Sequence, residues 1–517
     1  MNKRSRTQNS IHNISIGMLS TVINTLVAFV TRTVLVKTLG VEVLGINGLF
    51  TEVIAMLSLM ELGVGMAIIY SLYKPIQDND EEKISQLMAL YRTAYRVVGL
   101  ATLAAGLILT PFVDKLITEV NFPLPYIRLV FILFVLKTSS SYFFAYKTSL
   151  INADQKQYVV SLITSMVKIA VTAVAIAVVV LFKSYILYLT LQIAQSLITN
   201  ITISKYVDTK YPFINYKSKL NTDERRAVFT NIKDIFLKRL SGVITSSTDN
   251  ILISKLVSTI QVGFYSNYVL IYSVIRTIKQ QFTNGVAASI GNLSITSSAE
   301  HCISVLKQLT FMYYLFAMVM TSGLMGVSRL FITMWVGEEY VMEDYVVYTT
   351  VFVLFLEICS DPLWQFLEVS GLFKQDKYIG MIGSAVNLIV SFMLGIRIGI
   401  IGIFIGTVCT EIIQIVLKTR LIFKDKFFSL PSSYYSFWLK MLVSYFALAL
   451  LHFCVFRNIV ITNYLILDFL LKGFASVIGA AILAVLLFLK SDELKYCIQL
   501  IKQFKTKMLH GRTPNDG

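Results

Sequence analysis

Long apolar runs separated by short polar breaks recur along the whole chain. Each run of about 18 or more mostly uncharged residues is long enough to cross a bilayer core of ~30 Å as a helix. Hydropathy and turn signals place about fourteen candidate spans, with approximate limits 12–36, 44–72, 91–112, 125–147, 157–182, 184–205, 230–255, 262–290, 307–331, 345–370, 377–396, 398–420, 434–456 and 464–489. In lipid, backbone polar groups must be satisfied within the span, so helices are expected. Continuous runs, rather than alternating ten-residue segments, argue against an outer-membrane barrel. The pattern predicts an all-α polytopic membrane protein.

Composition excludes the soluble alternative. Hydrophobic residues make up 56% and charged residues 15%, too little polar surface to cover a soluble domain. The basic start, MNKRSRTQNSIHNIS, leads into an apolar stretch too long for a signal-peptide core, so it reads as a retained first span. Five scattered cysteines without CxxC indicate neither a disulfide framework nor a zinc site, and the four histidines are isolated. No GxxxxGK[ST], HExxH or GxSxG occurs. The longest polar connections, about 20 to 25 residues, are too short for a catalytic domain. A transporter without cofactor or metal is expected, not an enzyme.

An even number of spans puts both termini on one side. Lys3, Arg4 and Arg6, the connection from Lys205 to Arg239, Lys418 to Lys426, and the tail from Lys490 to Arg512 all fall on that side. The positive-inside rule makes it cytoplasmic. The net charge of +16 then serves orientation and contact with anionic lipids rather than nucleic acid.

The chain also resembles itself at an offset of about 217 to 220 residues. TRTVLVKTLGVEVLGINGLF from Thr31 matches TDNILISKLVSTIQVGFYSNYVL from Thr248, with Gly45 against Gly263. ADQKQYVVSLI from Ala153 matches FKQDKYIGMI from Phe373. Six spans separate the copies, so the repeats are parallel. The expected organisation is an N-terminal six-helix lobe at 1–206, a basic cytoplasmic linker at 207–229 and a C-terminal six-helix lobe at 230–426. Two appended helices at 427–490 and a basic tail at 491–517 complete it. Two such lobes around a central cavity suit alternating access.

Arg32, Leu35, Leu39 and Gly40, followed by LGINGLFTEVIAMLSLMELGVGMAIIYSLYKPI from Leu44, resemble Wzx-type polysaccharide flippases. These belong to the MOP superfamily, with the lipid II flippase and the MATE exporters. The resemblance implies a protein of the bacterial plasma membrane with both termini cytoplasmic. It implies transfer of undecaprenyl-diphosphate-linked repeat units to the outer leaflet, for a polysaccharide polymerase to extend. The rival reading is a MATE-like cation-coupled multidrug antiporter.

A charge at membrane depth costs ~2.5–3.5 kcal/mol on insertion scales, so it usually faces a wet cavity or a partner. Arg32, Lys137, Lys168, Arg276 and Lys279 are the candidates for holding a diphosphate, with Ser139, Ser140, Ser141, Thr164 and Ser165 offering hydroxyls. The alternatives are structural: snorkelling for Arg32, Arg276 and Lys279, and pairing with Glu52 or Glu61 for Lys137 and Lys168. Glu357, Asp361 and Glu368 share one helical face beside Pro362, a stripe suited to carrying protons or sodium. Asp361 could instead simply pair with a cation. Arg32 corresponds to Asp249 in the repeat, so the two are expected to meet as an outer gate.

Overall fold

The computed structural model describes residues 6–61, 64–226, 247–456 and 464–509, together with 228, 236 and 462. Every regular element among them is helical. Eleven of the described helices are long and apolar enough to cross a membrane. Two further predicted spans take a different form. The second is two helices, α2 (Val41–Leu57) and α3 (Val64–Asp78), with a 3-10 turn at Ser58–Glu61 between them. The eighth lies within α8 (Thr259–Thr296). The seventh span falls mostly outside the described residues, where only 247–256 is seen as helix. Residues 227 and 229 of the expected linker also lie outside them, as do Lys3, Arg4, Lys233, Lys238, Arg239 and Arg512.

The chain divides into two compact units, residues 1–270 and 271–517. The division falls inside α8, later than the repeat alone would place it, because 247–256 and the first part of α8 bond to the first unit. In that unit α1 (Arg6–Leu39) stops at Gly40, whose φ of 83° only glycine adopts without strain. Helices α4 (Glu81–Leu109), α5 (Leu124–Ala153), α6 (Gln157–Phe182) and α7 (Tyr185–Lys210) follow. Asp80 caps α4 by accepting from the Lys83 amide at 2.8 Å. The core sits between α3, α4 and α5, where Ile68, Leu72, Met88, Tyr91 and Leu150 are fully buried.

The second unit contains the rest of α8 and α9 (Ala299–Trp335), α10 (Asp344–Val369), α11 (Phe373–Ile398), α12 (Ile400–Asp425), α13 (Ser432–Leu451), α14 (Leu465–Phe488) and α15 (Asp492–Leu509). Its core is aromatic. Phe355 lies 4.3 Å from Tyr445 and Phe488 lies 5.0 Å from Phe311, ring centre to ring centre. Helices α13 and α14 are tied to α9 by Tyr314 to Ser444 at 2.6 Å and by Ser322, which donates to the Ser476 carbonyl at 2.8 Å. In α14, Lys472 and Asp468 form a buried pair one turn apart at 3.1 Å. α10 runs unbroken through Pro362. Exposed apolar stripes such as Leu19, Val22, Leu26 and Val30 on α1 recur at helical spacing, as a lipid-facing surface requires.

Candidate functional site

In the first unit, three cations lie half-buried on three helices. Arg32 of α1 donates to the Ser266 hydroxyl at 2.9 Å and the Ser266 carbonyl at 3.2 Å. Tyr185 and Tyr188 of α7 stand close by. Tyr188 accepts from the Gln192 amide at 2.7 Å, and the Gln192 carbonyl oxygen accepts from Lys137 of α5 at 2.7 Å. Lys168 of α6 is near enough to Lys137 to repel it, and its amine reaches the Asn24 carbonyl only at 3.5 Å, a weak bond. Among the described residues, none of these three cations is held by a carboxylate. Glu52 and Glu61 do not take the lysines. Glu52 accepts from Asn250 at 3.5 Å and Glu61 from the Tyr95 hydroxyl at 3.3 Å.

The second unit is built the opposite way. Arg276 forks onto Glu357, with bonds of 2.8 and 3.0 Å. Lys279 meets Asp361 at 2.6 Å. Asp361 also accepts from Thr283 at 2.5 Å and Gln365 at 2.9 Å. Residues 276, 279 and 283 share one face of α8, and 357, 361 and 365 share one face of α10, so the contacts form successive rungs. Two groups expected to serve separate ends, substrate cations and coupling acids, thus neutralise each other. Glu368, the last acid of the expected stripe, is exposed near the end of α10.

Sequence reasoning missed an acid near these rungs and a buried ion pair. Glu411 of α12 lies within electrostatic reach of Glu357, Arg276, Lys279 and Lys418. Lys418, expected only as one of the cytoplasmic-side charges, is buried against the Trp364 ring at 3.3 Å and pairs with Asp376 at 3.0 Å. Glu411 was legible as a carboxylate inside the twelfth span. Its neighbours come from distant sequence.

The Arg32–Asp249 pair is not formed in this structure, because Arg32 gives its bonds to Ser266. The repeat meets itself through its glycines instead. A Cβ on Gly45 would lie 2.0 Å from the Thr259 carbonyl oxygen, and one on Gly263 would lie 2.5 Å from the Val41 carbonyl oxygen. Val41 and Thr259 are repeat-equivalent at the same offset as the two glycines. The contact therefore has the two-fold character of a symmetric interface. Thr118 adds a clasp, donating its hydroxyl to the Ser254 carbonyl at 2.7 Å and accepting the Thr259 amide at its own carbonyl at 3.3 Å.

The break in the second span opens a cavity of about 390 Å³. Glu61, Tyr95, Ser141, Tyr142, Ser149 and Asn200 are among its lining residues. The Tyr95 and Tyr142 rings stack at 6.4 Å. Among the described residues, no group of His, Cys, Asp and Glu is arranged to hold a metal.

The profile of the polysaccharide biosynthesis protein family matches residues 10–288, more than half of the chain. The chain belongs to that family. Members of the MOP superfamily share its fold. A structure of the lipid II flippase MurJ in an inward closed conformation superposes with a TM-score of 0.68 over 92% of this chain and 99% of that one, at 14% identity. An inward-facing multidrug resistance MATE transporter of the MOP superfamily gives 0.62 over 79% and 96%, at 12% identity. A mutant of the Vibrio cholerae MATE transporter VcmN gives 0.53 over 83% and 100%, at 14% identity. No curated protein matches the chain. This polysaccharide biosynthesis protein is a multi-pass membrane protein with the fold of flippases and exporters.

Proposed function

We propose that the chain flips undecaprenyl-diphosphate-linked oligosaccharide repeat units from the cytoplasmic to the outer leaflet of the bacterial plasma membrane, by alternating access. The observation that carries this reading is the unbalanced charge of Arg32, Lys137 and Lys168. Cations at membrane depth with only neutral oxygen partners remain costly until an anion arrives. A diphosphate supplies that anion with many acceptor oxygens, suited to the Arg32 fork and the two compact ammonium groups. The expected lobes at 1–206 and 230–426 serve the alternating access, with both termini cytoplasmic and the basic linker and tail held at anionic lipid. The symmetric glycine contact and Arg32–Ser266 close the outer end while substrate enters from the cytoplasm. Glu357 and Asp361, held by Arg276 and Lys279, couple the cycle to protons or sodium when those pairs part. A polymerase then extends the delivered glycan.

A multidrug antiporter needs acids facing an organic cation. The bonds from Arg276 and Lys279 to Glu357 and Asp361 support the flippase instead. The test is complementation in a strain lacking the gene. Lipid-linked repeat units should accumulate on the cytoplasmic leaflet and be exported again when the gene is returned. Normal export without the gene, with loss of drug efflux instead, contradicts the reading.

A further inference from the structure

The broken second span does more than bend. Irregular backbone at membrane depth persists only where it is buried in protein or lines a wet cavity. In transporters, interrupted helices of this kind line binding sites. Here the Ser58–Glu61 turn ends on a carboxylate that faces the cavity. Gly65, on the next helix, keeps that wall open. A Cβ there would lie 3.0 Å from the Tyr95 hydroxyl and 3.2 Å from Glu61 Oε1.

The lining says what fits. A volume of about 390 Å³ is far more than a bare ion uses. One water fills about 30 Å³. Among the described residues no cation lines the cavity, so it does not suit a phosphate. Its polar groups include the Glu61 carboxylate, the Asn200 amide, the hydroxyls of Ser141, Thr148 and Ser149 and the phenol hydroxyls of Tyr95 and Tyr142. Together they can both donate to and accept from a ring of hydroxyls. The stacked Tyr95 and Tyr142 supply apolar surface for the C–H face of such a ring. An organic cation would use the acid and the aromatics but leave the neutral hydroxyl and amide groups idle. Ser141 also lies one turn beyond Lys137 on α5, about 6 Å along the axis. A sugar joined to a diphosphate at Lys137 is within reach of the cavity.

We propose that this cavity is a sugar subsite that takes the first ring of the lipid-linked glycan, with Glu61 and Asn200 bonding its hydroxyls. The proposal rests on the flippase reading, and its test separates the two. The full chain in lipid nanodiscs would be titrated with two probes, a polyprenyl diphosphate and the same lipid carrying one hexose. The wild type should bind the glycosylated lipid about tenfold more tightly. Asn200→Leu, and independently Glu61→Gln, should shrink that gap to about twofold while leaving the bare lipid unchanged. Lys137→Ala should weaken both lipids alike. Equal binding of the two lipids by the wild type overturns the subsite, as does a gap that survives both variants. Ethidium binding that Glu61→Gln abolishes, with no glycan preference, also overturns it and points to an organic-cation pocket. Failure of Lys137→Ala to weaken either lipid sinks the diphosphate reading and leaves the sugar gap to stand on its own. No binding of either lipid overturns both.

Discussion

The cations of the two units look alike in sequence and differ in what holds them. Lys137 and Lys168 in the first unit lean on an amide oxygen and a backbone carbonyl. Arg276 and Lys279 in the second are clamped by Glu357 and Asp361. A neutral partner relieves part of the cost of a buried charge and leaves the charge itself uncompensated. A carboxylate partner compensates it and ties two helices together. The first arrangement suits a site that waits for an anion, and the second suits a fastening that must part for the fold to move.

Substitutions should separate these roles. The largest effect is expected from Lys137→Ala combined with Lys168→Ala. Two lost charge-assisted contacts should lower glycan export by ~100-fold or more. The protein level in the membrane should hold, since no carboxylate is left unpaired. Cell-surface glycan and membrane abundance measured together check this. Next comes Lys279→Met, which strands Asp361 and should destabilise by about 3 kcal/mol. Thermal unfolding in detergent reads it, and the swap of Lys279→Asp with Asp361→Lys should recover part of the loss. If Lys137→Met destabilises as much as Lys279→Met, the contrast between the units fails.

A smaller effect is expected at the more exposed rung. Glu357→Gln should cost about 1 kcal/mol, because water screens Arg276 and Glu357. Glu368→Gln, at an exposed site, should stay within about 0.5 kcal/mol. A larger effect at Glu368 on transport than at Glu357 would restore the whole acidic stripe as a unit.

The fold class was legible because lipid imposes one rule on every span, and the apolar runs obey it. The pairing of Gly45 with Gly263 was legible as a repeat, though not as a contact. Its meaning came from the carbonyl oxygens of Thr259 and Val41, which no side-chain pattern reveals. The depth of Arg276, Lys279, Glu357 and Asp361 could be read from their spans, but their mutual pairing could not. Sequence gives the rotation of a residue on its own helix and not which helix it faces. Arg32 shows the same limit. The repeat offered Asp249 as its partner, and the structure supplies Ser266. The cavity at Glu61 had a sequence trace in MELGVG, a carboxylate followed by two glycines inside an apolar run, which reads as a discontinuity only once the 3-10 turn is seen.

The role proposed for the unbalanced cations of the first unit is to hold a diphosphate. It is tested most directly by comparing the affinity of the purified chain in nanodiscs for a polyprenyl diphosphate and for the matching monophosphate. The wild type should prefer the diphosphate by about tenfold or more, and Lys137→Ala with Lys168→Ala should remove the preference. A double variant that still binds the diphosphate as tightly as the wild type would contradict it.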